Sequence, residues 1–265
     1  MNTIIEKKEI APEIFRYKIE SNYICRNYKP GEFVIVVPKE NGERIPLTIF
    51  NCEDGFIEII FQVVGYSTKV LSEMGVGDKI EAILGPLGLP AEIEYFGKVV
   101  CVGGGVGTAV IYPEIKSLKE KKNEIYTIIG ARTKELVILE EEIKKFSDKL
   151  FITTDDGSYG EKGVVTEPLK RILGSEKVDR VIAIGPIIMM KKVSELTKQY
   201  NVKTIVSLNP IMVDGTGMCG ACRVEVDNKT YFACVNGPEF DGHKVNFDLL
   251  MKRNSQFQDL EKLKI

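Results

Sequence analysis

The residues best suited to chemistry lie in one short stretch, VDGTGMCGACRVEV followed by YFACVNGPEFDGH, within residues 213–243. It holds three of the chain's six cysteines, Cys219, Cys222 and Cys234. A Cys-x2-Cys pair with a third cysteine twelve residues on fits zinc, an iron–sulfur cluster or a redox pair. Gly217, Gly220 and Ala221 favour a cluster, because small residues let several backbone N–H groups crowd around inorganic sulfide. Plant-type [2Fe–2S] sites follow C-x4-C-x2-C…C. Counting back from Cys219 puts Asp214 in the first slot. His243, the only histidine, is a weak candidate ligand, since a Rieske pattern needs two. The other cysteines, Cys25, Cys52 and Cys101, are scattered among apolar neighbours and read as inert core thiols, with no structural disulfide expected in an intracellular chain.

A second chemistry, anion binding, is written in glycine. KVVCVGGG (98–105) runs on into VGT, so Gly103, Gly104, Gly105 and Gly107 let the backbone approach an anion. Thr108 then opens a helix whose free N–H groups and partial positive charge face the same point. The spacing is not the G-x-G-x-x-G of Rossmann dehydrogenases, and a generic strand-to-helix turn fits it too. Gly185-Pro186 repeats the signal at the end of a later strand. Between them lies TTDDGSYGEKGVVT (153–166), with Asp155, Asp156, Gly157, Ser158 and Gly160. Alone it reads equally as a solvated turn; beside the other two loops it reads as part of a nucleotide crevice.

The elements that must hold these loops fall into three segments. Residues 1–96 contain short strands such as EFVIVVP (32–38), PLTIF (46–50) and GFIEIIFQVV (55–64), interrupted by one helix, STKVLSEM (67–74). That pattern predicts an antiparallel sandwich or barrel. Residues 97–210 alternate strands and helices, with strands at 98–105, 124–131, 149–155, 179–185 and 203–208, and a charged helix around 138–147. That pattern predicts a parallel sheet covered on both faces. Residues 211–265 carry the cysteine loop, a strand or two and a polar helix.

Bulk properties exclude several classes. With 36 basic and 38 acidic residues and a net charge of −2, the chain has no polybasic surface for nucleic acid or an anionic membrane. No apolar run approaches the ~20 residues that span a bilayer. The first residues, MNTIIEKKEI, lack a signal-peptide core, which predicts a cytoplasmic location.

Over nearly its whole length the chain resembles the ferredoxin–NADP reductase superfamily, on the GGGVGT turn, the DDGSYG loop and the GPIIMM run (185–190). The resemblance implies an N-terminal flavin-binding barrel and a nucleotide-binding α/β domain. Ile184 stands where the wider family often has a cysteine before the Gly-Pro. RIPLT (44–48) resembles the family's flavin motif in a Pro-Leu-Thr form, which implies FAD contacts from Arg44, Pro46, Leu47 and Thr48. VVGYSTKVL (63–71) resembles the second flavin segment, which implies that Gly65, Ser67 and Thr68 hold the FAD pyrophosphate. GPLG (85–88) recurs in the family near the domain junction. For NAD(H) the resemblance implies Gly104, Gly105, Gly107, Thr108, Asp155, Asp156, Gly157, Gly185 and Pro186.

The cysteine segment resembles that of dihydroorotate dehydrogenase electron-transfer subunits, whose four ligands are all cysteine. With aspartate in the first slot, GTGMCGAC and CVNGPEFDGH, it is closer to the small subunits of NADH-dependent reduced ferredoxin:NADP oxidoreductases, also described as sulfide dehydrogenase subunits. That resemblance implies a [2Fe–2S] cluster on Asp214, Cys219, Cys222 and Cys234, and a larger flavin and iron–sulfur partner subunit. Ferredoxin and NADP(H) chemistry would belong to the partner, with electron bifurcation as its mode. No catalytic acid or base is implied, because a flavin can take a hydride and release electrons singly. Arg132 and Lys134 lie where a 2′-phosphate would be read, and fit surface charges equally well. Two further readings stand beside this one. One is the electron-transfer subunit of an NAD-linked dihydroorotate dehydrogenase; the other is a non-enzymatic regulatory module with a zinc-bound tail.

Overall fold

The computed structural model describes residues 2–256. The chain forms two compact units. The first takes residues up to Pro90, then Asn209–Pro238 and the described residues from Asp248; the second takes Ala91–Leu208 and Glu239–Phe247. Residues 211–265, which read as one appended segment in the sequence, are thus divided between the units, and 257–265 lie outside the described residues.

The first unit begins with strands β1 (Ile4–Ala11) and β2 (Ile14–Glu20) and a short helix α1 (Asn22–Asn27). Strands β3 (Phe33–Val37), β4 (Ile45–Glu53) and β5 (Phe56–Gln62), helix α2 (Tyr66–Glu73) and strand β6 (Ala82–Leu87) follow. The strands pair antiparallel in the order β1-β2-β5-β4-β3-β6. The residues just before β6 bond back to the start of β1: Ile4 N–H donates to Asp78 O at 2.9 Å and Ile80 N–H to Asn2 O at 3.0 Å. The ring therefore closes into the expected barrel.

Alternation along the strands fills its interior with Ile4, Tyr17, Ile19, Val34, Val36, Ile49, Ile57, Ile59 and Phe61. Each such side chain stabilises the fold by about 1.5–3 kcal/mol on burial. Tyr17 ties α2 to this core, its hydroxyl donating to Leu71 O at 2.8 Å and Met74 O at 2.9 Å.

Two expectations fail in this unit. Helix α1 was not visible as a periodic pattern, because its six residues hold one buried side chain, Ile24. It is fixed instead from outside: Ser21 N–H donates to Gly55 O at 2.9 Å, at the turn between β4 and β5. That contact sets Cys25 beside Cys52, and the two are joined as a disulfide with Cα atoms 5.3 Å apart, within the span a disulfide bridges. They are not the separate thiols the spacing suggested. Cys101 is, as expected, a buried free thiol.

The second unit runs β7 (Lys98–Gly104), α3 (Gly107–Glu120), β8 (Glu124–Ala131), a 3-10 turn (Lys134–Leu136), α4 (Glu140–Lys144), β9 (Lys149–Thr154) and β10 (Glu161–Lys162). It continues with α5 (Thr166–Ser175), β11 (Arg180–Ile184), α6 (Ile187–Gln199) and β12 (Thr204–Ser207). The charged helix expected over 138–147 is cut to five residues, because Leu139 takes a left-handed φ of 59° at its start. Beyond β12 come the hairpin β13 (Arg223–Val226) and β14 (Lys229–Phe232), α7 (Ala233–Asn236), β15 (Glu239–Asp241) and α8 (Phe247–Asn254). Of these, β15 returns to the second unit's sheet, antiparallel to β12.

The resulting order is β10-β9-β8-β7-β11-β12-β15, parallel apart from that last pair. The strand order reverses between β7 and β11, which makes their carboxyl ends the switch point where ligands bind in open α/β sheets. At the opposite end a charged network braces the sheet. Tyr126 O–H donates to Glu176 at 2.8 Å, Lys149 Nζ donates to it at 2.9 Å, and Lys98 Nζ bonds it as well. These donors, Lys98 first, hold the Glu176 carboxyl down at about 2.

Candidate functional site

The cysteine segment folds on the first unit through glycines. Gly215 has a φ of +79°, and a Cβ there would lie 2.7 Å from Ile35 Cγ1 and 3.0 Å from Leu87 Cδ1. Only glycine gives this turn both its left-handed backbone and its close seat on β3 and β6. Further along, Leu89 N–H donates to Gly237 O at 2.6 Å, which joins the GPLG turn to the end of the segment.

Of the four expected ligands, Asp214 immediately precedes the first anchor, and Cys219, Cys222 and Cys234 lie between the two. The Asp214 carboxylate accepts the N–H of Thr216 at 2.7 Å and of Cys219 at 2.8 Å. These backbone donors, Thr216 first, hold its carboxyl below the usual range. The N–H of Ala221 donates to Cys219 Sγ at 3.4 Å, and that of Cys234 to Cys222 Sγ at 3.5 Å. Cys222 and Cys234 place their sulfurs 3.2 Å apart. Burial, then the adjacent Cys222, push the Cys234 thiol up to about 12, with the Asp214 charge adding to the effect. Cys219 and Met218 are exposed beside them. The residue types fit an iron–sulfur group: three soft sulfurs and one carboxylate, with Asp214 and Cys219 on one loop, Cys222 just before β13 and Cys234 in α7, and backbone N–H groups aimed at two of the sulfurs. Among the described residues only Cys222 and Cys234 have their sulfurs together, and no three such side chains are gathered as a metal site. His243 takes no part. It lies in the second unit, with Nε2 2.9 Å from Thr197 Oγ1, and burial lowers its basicity.

The flavin-motif residues share the barrel face on which the cysteine segment rests. In the β3–β4 register Ile35 stands opposite Pro46 and Phe33 opposite Thr48. Directly opposed residues point to the same face of an antiparallel pair. Val34, Val36, Ile45, Leu47 and Ile49 fill the interior, so Phe33, Ile35, Pro46 and Thr48 form the outer face. Gly215 packs on Ile35 of that outer face. Leu47 points inward and has only its backbone to offer a ligand. Arg44 is exposed ahead of the strand.

At α2, Gly65 faces open space: a Cβ built there meets nothing within 4 Å. Thr68 serves the turn itself. Its Oγ1 accepts the N–H of Val64 at 2.9 Å and of Gly65 at 3.1 Å, and donates to Gly65 O at 2.9 Å. Ser67 Oγ bonds Glu43, which draws the loop before β4 to the helix start. Ile35, Leu87 and Glu43 were not singled out in the sequence. The alternation of EFVIVVP carried the signal for an outward Ile35, but only the register tells which strand it faces.

In the second unit the two glycine turns meet at the switch point. A Cβ on Gly185 would lie 3.0 Å from both Cα and O of Gly104. One on Gly107 would press into the carbonyl of Ile184. Side chains are excluded here so that two backbone turns and the start of α3 can stand side by side, which leaves a cradle of the kind a pyrophosphate needs. Gly105, half-buried, and Pro186, exposed, border it. Thr108 is fully buried, its side chain against Gly103, so it supports the turn from behind.

The Asp155–Gly157 loop is bound to the end of β8, with Asp155 N–H donating to Ala131 O at 3.1 Å and Asp156 N–H to Arg132 O at 3.3 Å. Asp156 in turn accepts from the Ser158 hydroxyl at 2.7 Å, and Ser158 Oγ accepts the Lys134 N–H at 2.8 Å. Arg132 and Lys134 are exposed beside this loop.

Comparison with known proteins agrees with this arrangement. Residues 209–246 match the family of the iron-sulfur cluster binding domain of dihydroorotate dehydrogenase B. A Thermotoga maritima protein named dihydroorotate dehydrogenase B (NAD(+)), electron transfer subunit homolog, is 48% identical over 99% of this chain and 94% of its own length. A solved structure of an NADH-dependent reduced ferredoxin-NADP oxidoreductase, described for flavin-based electron bifurcation, matches with a TM-score of 0.95 and 47% identity, over 100% of this chain and 96% of that one. An Amycolatopsis cytochrome P450 reductase shares the fold, with a TM-score of 0.64 at 22% identity over 75% of this chain and 65% of its own. The barrel, the switch-point sheet and the cysteine segment thus belong together, and the chain is a member of the dihydroorotate dehydrogenase B electron-transfer subunit family of oxidoreductase subunits.

Proposed function

We propose that this chain passes electrons between NAD(H), FAD and a [2Fe–2S] cluster, and on to a larger flavin and iron–sulfur subunit with which it forms a heterodimer. The observation that carries the reading is the shared outer face of β3 and β4: Pro46 and Thr48 lie on it, and Gly215, next to Asp214, packs against it. A flavin and a cluster held there would be neighbours within one compact unit.

When bound, the flavin supplies the conversion of a hydride into single electrons. The chain's own residues bind and orient. Pro46, the Leu47 backbone, Thr48 and Arg44 border the ring and phosphate of FAD, and Gly65 with Ser67 and Thr68 at the start of α2 receives its pyrophosphate. Gly104, Gly105 and Gly107, supported from behind by the buried Thr108, cradle NAD(H) together with Gly185-Pro186 and Asp155–Gly157. Asp214, Cys219, Cys222 and Cys234 hold the cluster.

The partner of choice is the large subunit of a ferredoxin:NADP oxidoreductase, working by electron bifurcation. Asp214 in the first ligand slot and the GPEFDGH tail favour it over a dihydroorotate dehydrogenase. No helix among the described residues is long and apolar enough to cross a membrane. The three free cysteines of the cluster segment need a reducing compartment, so we place the protein in the cytoplasm, where the Cys25–Cys52 disulfide is an exception to the usual reduced state of thiols.

The test is anaerobic purification with and without the co-expressed large subunit, followed by iron, sulfide and flavin analysis and addition of NADH. Stoichiometric FAD, two irons per chain and bleaching of the flavin absorbance by NADH are expected. A colourless, iron-free protein, or a flavin that NADH leaves oxidised, would reject the assignment.

A further inference from the structure

Inside the second unit two buried carboxyl groups face each other, and neither forms an ion pair with a Lys, Arg or His among the described residues. Glu114, on the sheet-facing side of α3, is 1% exposed. Glu239 is the first residue of β15, opposite Ser207 of β12. Both oxygens of Glu114 and Oε1 of Glu239 are buried and have no hydrogen-bond partner among the donors of the described residues. Yet the two side chains lie within hydrogen-bonding reach of one another. Two acceptors cannot bond without a donor. The missing donor is a proton.

The other charged and titratable groups facing the pair do not remove this need. From β7 comes the Cys101 thiol, pushed up by its burial first and then by both carboxyls. From β11 comes Arg180, which lowers the Glu239 carboxyl but spends its guanidinium on Glu92 at 2.7 Å and on the Phe96 ring 3.5 Å away. Glu92, half-exposed, adds negative charge. The balance of the surroundings therefore favours an un-ionised acid, as it does where two carboxyls share one buried site.

We propose that Glu114 and Glu239 hold one proton between them at neutral pH, and that this proton latches β15 onto α3. The latch joins two parts of the chain with different tasks. Helix α3 opens on the glycine turn of the nucleotide cradle, at Gly107. Strand β15 is the first element after the cysteine segment, five residues beyond Cys234. Besides the acid pair, β15 has one neighbouring strand, β12, and three residues with which to pair it. Loss of the shared proton would set two buried negative charges side by side and expel the strand that returns from the cysteine segment.

The sign of the pH dependence follows. A carboxyl whose folded pKa is raised keeps its proton when the unfolded chain has lost it, so folding takes up a proton. Stability from the pair is complete below about pH 4.3, the unfolded value for Glu. It is lost as pH rises towards the folded value, with the folding constant falling by up to about tenfold per pH unit in that window.

The experiment uses the anaerobically purified holoprotein. Infrared spectra near neutral pH should show the carbonyl stretch of a protonated carboxyl that is lost in both E114Q and E239Q. In wild-type protein, amide exchange of β15, corrected for the intrinsic rate, should accelerate from about pH 6 to about pH 9. The same correction should leave the double variant E114Q/E239Q flat, because neither side chain of the pair can then titrate. No protonated-carboxyl band in the wild type, or a band unchanged in both variants, would overturn the proposal. Were the variants to fail to fold, wild-type β15 protection independent of pH would overturn it alone.

Discussion

The carboxylate of Asp214 accepts the backbone N–H of Cys219 at 2.8 Å, which ties the first ligand slot to the second before any metal is considered. The Thr216 N–H binds the same carboxylate at 2.7 Å. Asp214 is thus fixed as an anion by its own loop. An oxygen donor of this kind is harder than thiolate, and it places a proton-accepting group at the cluster.

Replacing Asp214 by cysteine should therefore leave a cluster in place and change its electrochemistry. The [2Fe–2S] midpoint of D214C, followed by redox titration at several pH values, is expected to depart from that of the wild type. Superimposable titrations at every pH would show that the aspartate has no influence on the cluster.

Cys219 and Cys101 make a paired control. Cys219 is exposed on the cysteine loop, whereas Cys101 lies buried in β7. C219S is expected to lose most of its iron and sulfide while keeping FAD. C101A should retain iron in full and lose at most about 1–2 kcal/mol of stability to the small cavity. Iron analysis and denaturant titration decide, and equal iron in both variants would remove Cys219 from the ligand set.

Gly107 is where the nucleotide cradle leaves least room. An added methyl presses on the Ile184 carbonyl at the end of β11. The accommodation costs about 1–3 kcal/mol and pushes the start of α3 away from the second glycine turn. G107A should therefore bind NADH at least ~10-fold more weakly, the equivalent of about 1.4 kcal/mol, with the flavin content unchanged. NADH titration of flavin absorbance measures this, and wild-type affinity in G107A would mean that the cradle lies elsewhere.

Thr68 offers a test in the barrel unit. Its hydroxyl satisfies two backbone N–H groups and one carbonyl at the start of α2. T68V keeps the shape and removes all three bonds, for a cost of about 1–2 kcal/mol. The open space at Gly65 should then lose its fixed shape, and FAD should wash out of T68V on gel filtration while iron remains. Full FAD retention would limit Thr68 to a structural cap.

The sequence was most legible where periodicity and spacing act over short distances. Strand β8 and the order of the α/β elements followed from apolar runs and flanking glycines, and the Asp214–Cys219–Cys222 spacing pointed to the cofactor class. What escaped it depends on contacts between distant segments. Glu239 sits in a tail that reads as a loop, and only its pairing with Ser207 brings it to the sheet. Cys25 and Cys52 are 27 residues apart and meet because Ser21 bonds Gly55, a contact no local pattern encodes. The outer-face position of Pro46 likewise required the β3–β4 register, since a shift of one residue would have turned it inward.

Acid should weaken the second unit through Glu176. Lys98, Lys149 and Tyr126 together hold its folded carboxyl at about 2, against an ordinary 4.5. Between those values the unfolded chain binds a proton that the folded chain does not, so stability rises with pH across that window and is constant above it. The contribution is present near neutrality and disappears as pH falls from about 4.5 to about 2. E176Q removes the charge that Lys98 and Lys149 share, and its melting temperature should lie below that of the wild type near neutral pH. The two melting curves should converge as the buffer is taken down towards the folded value. Parallel curves with a constant gap would mean that the loss in E176Q comes from packing and not from the ion network at the amino ends of β7, β8 and β9.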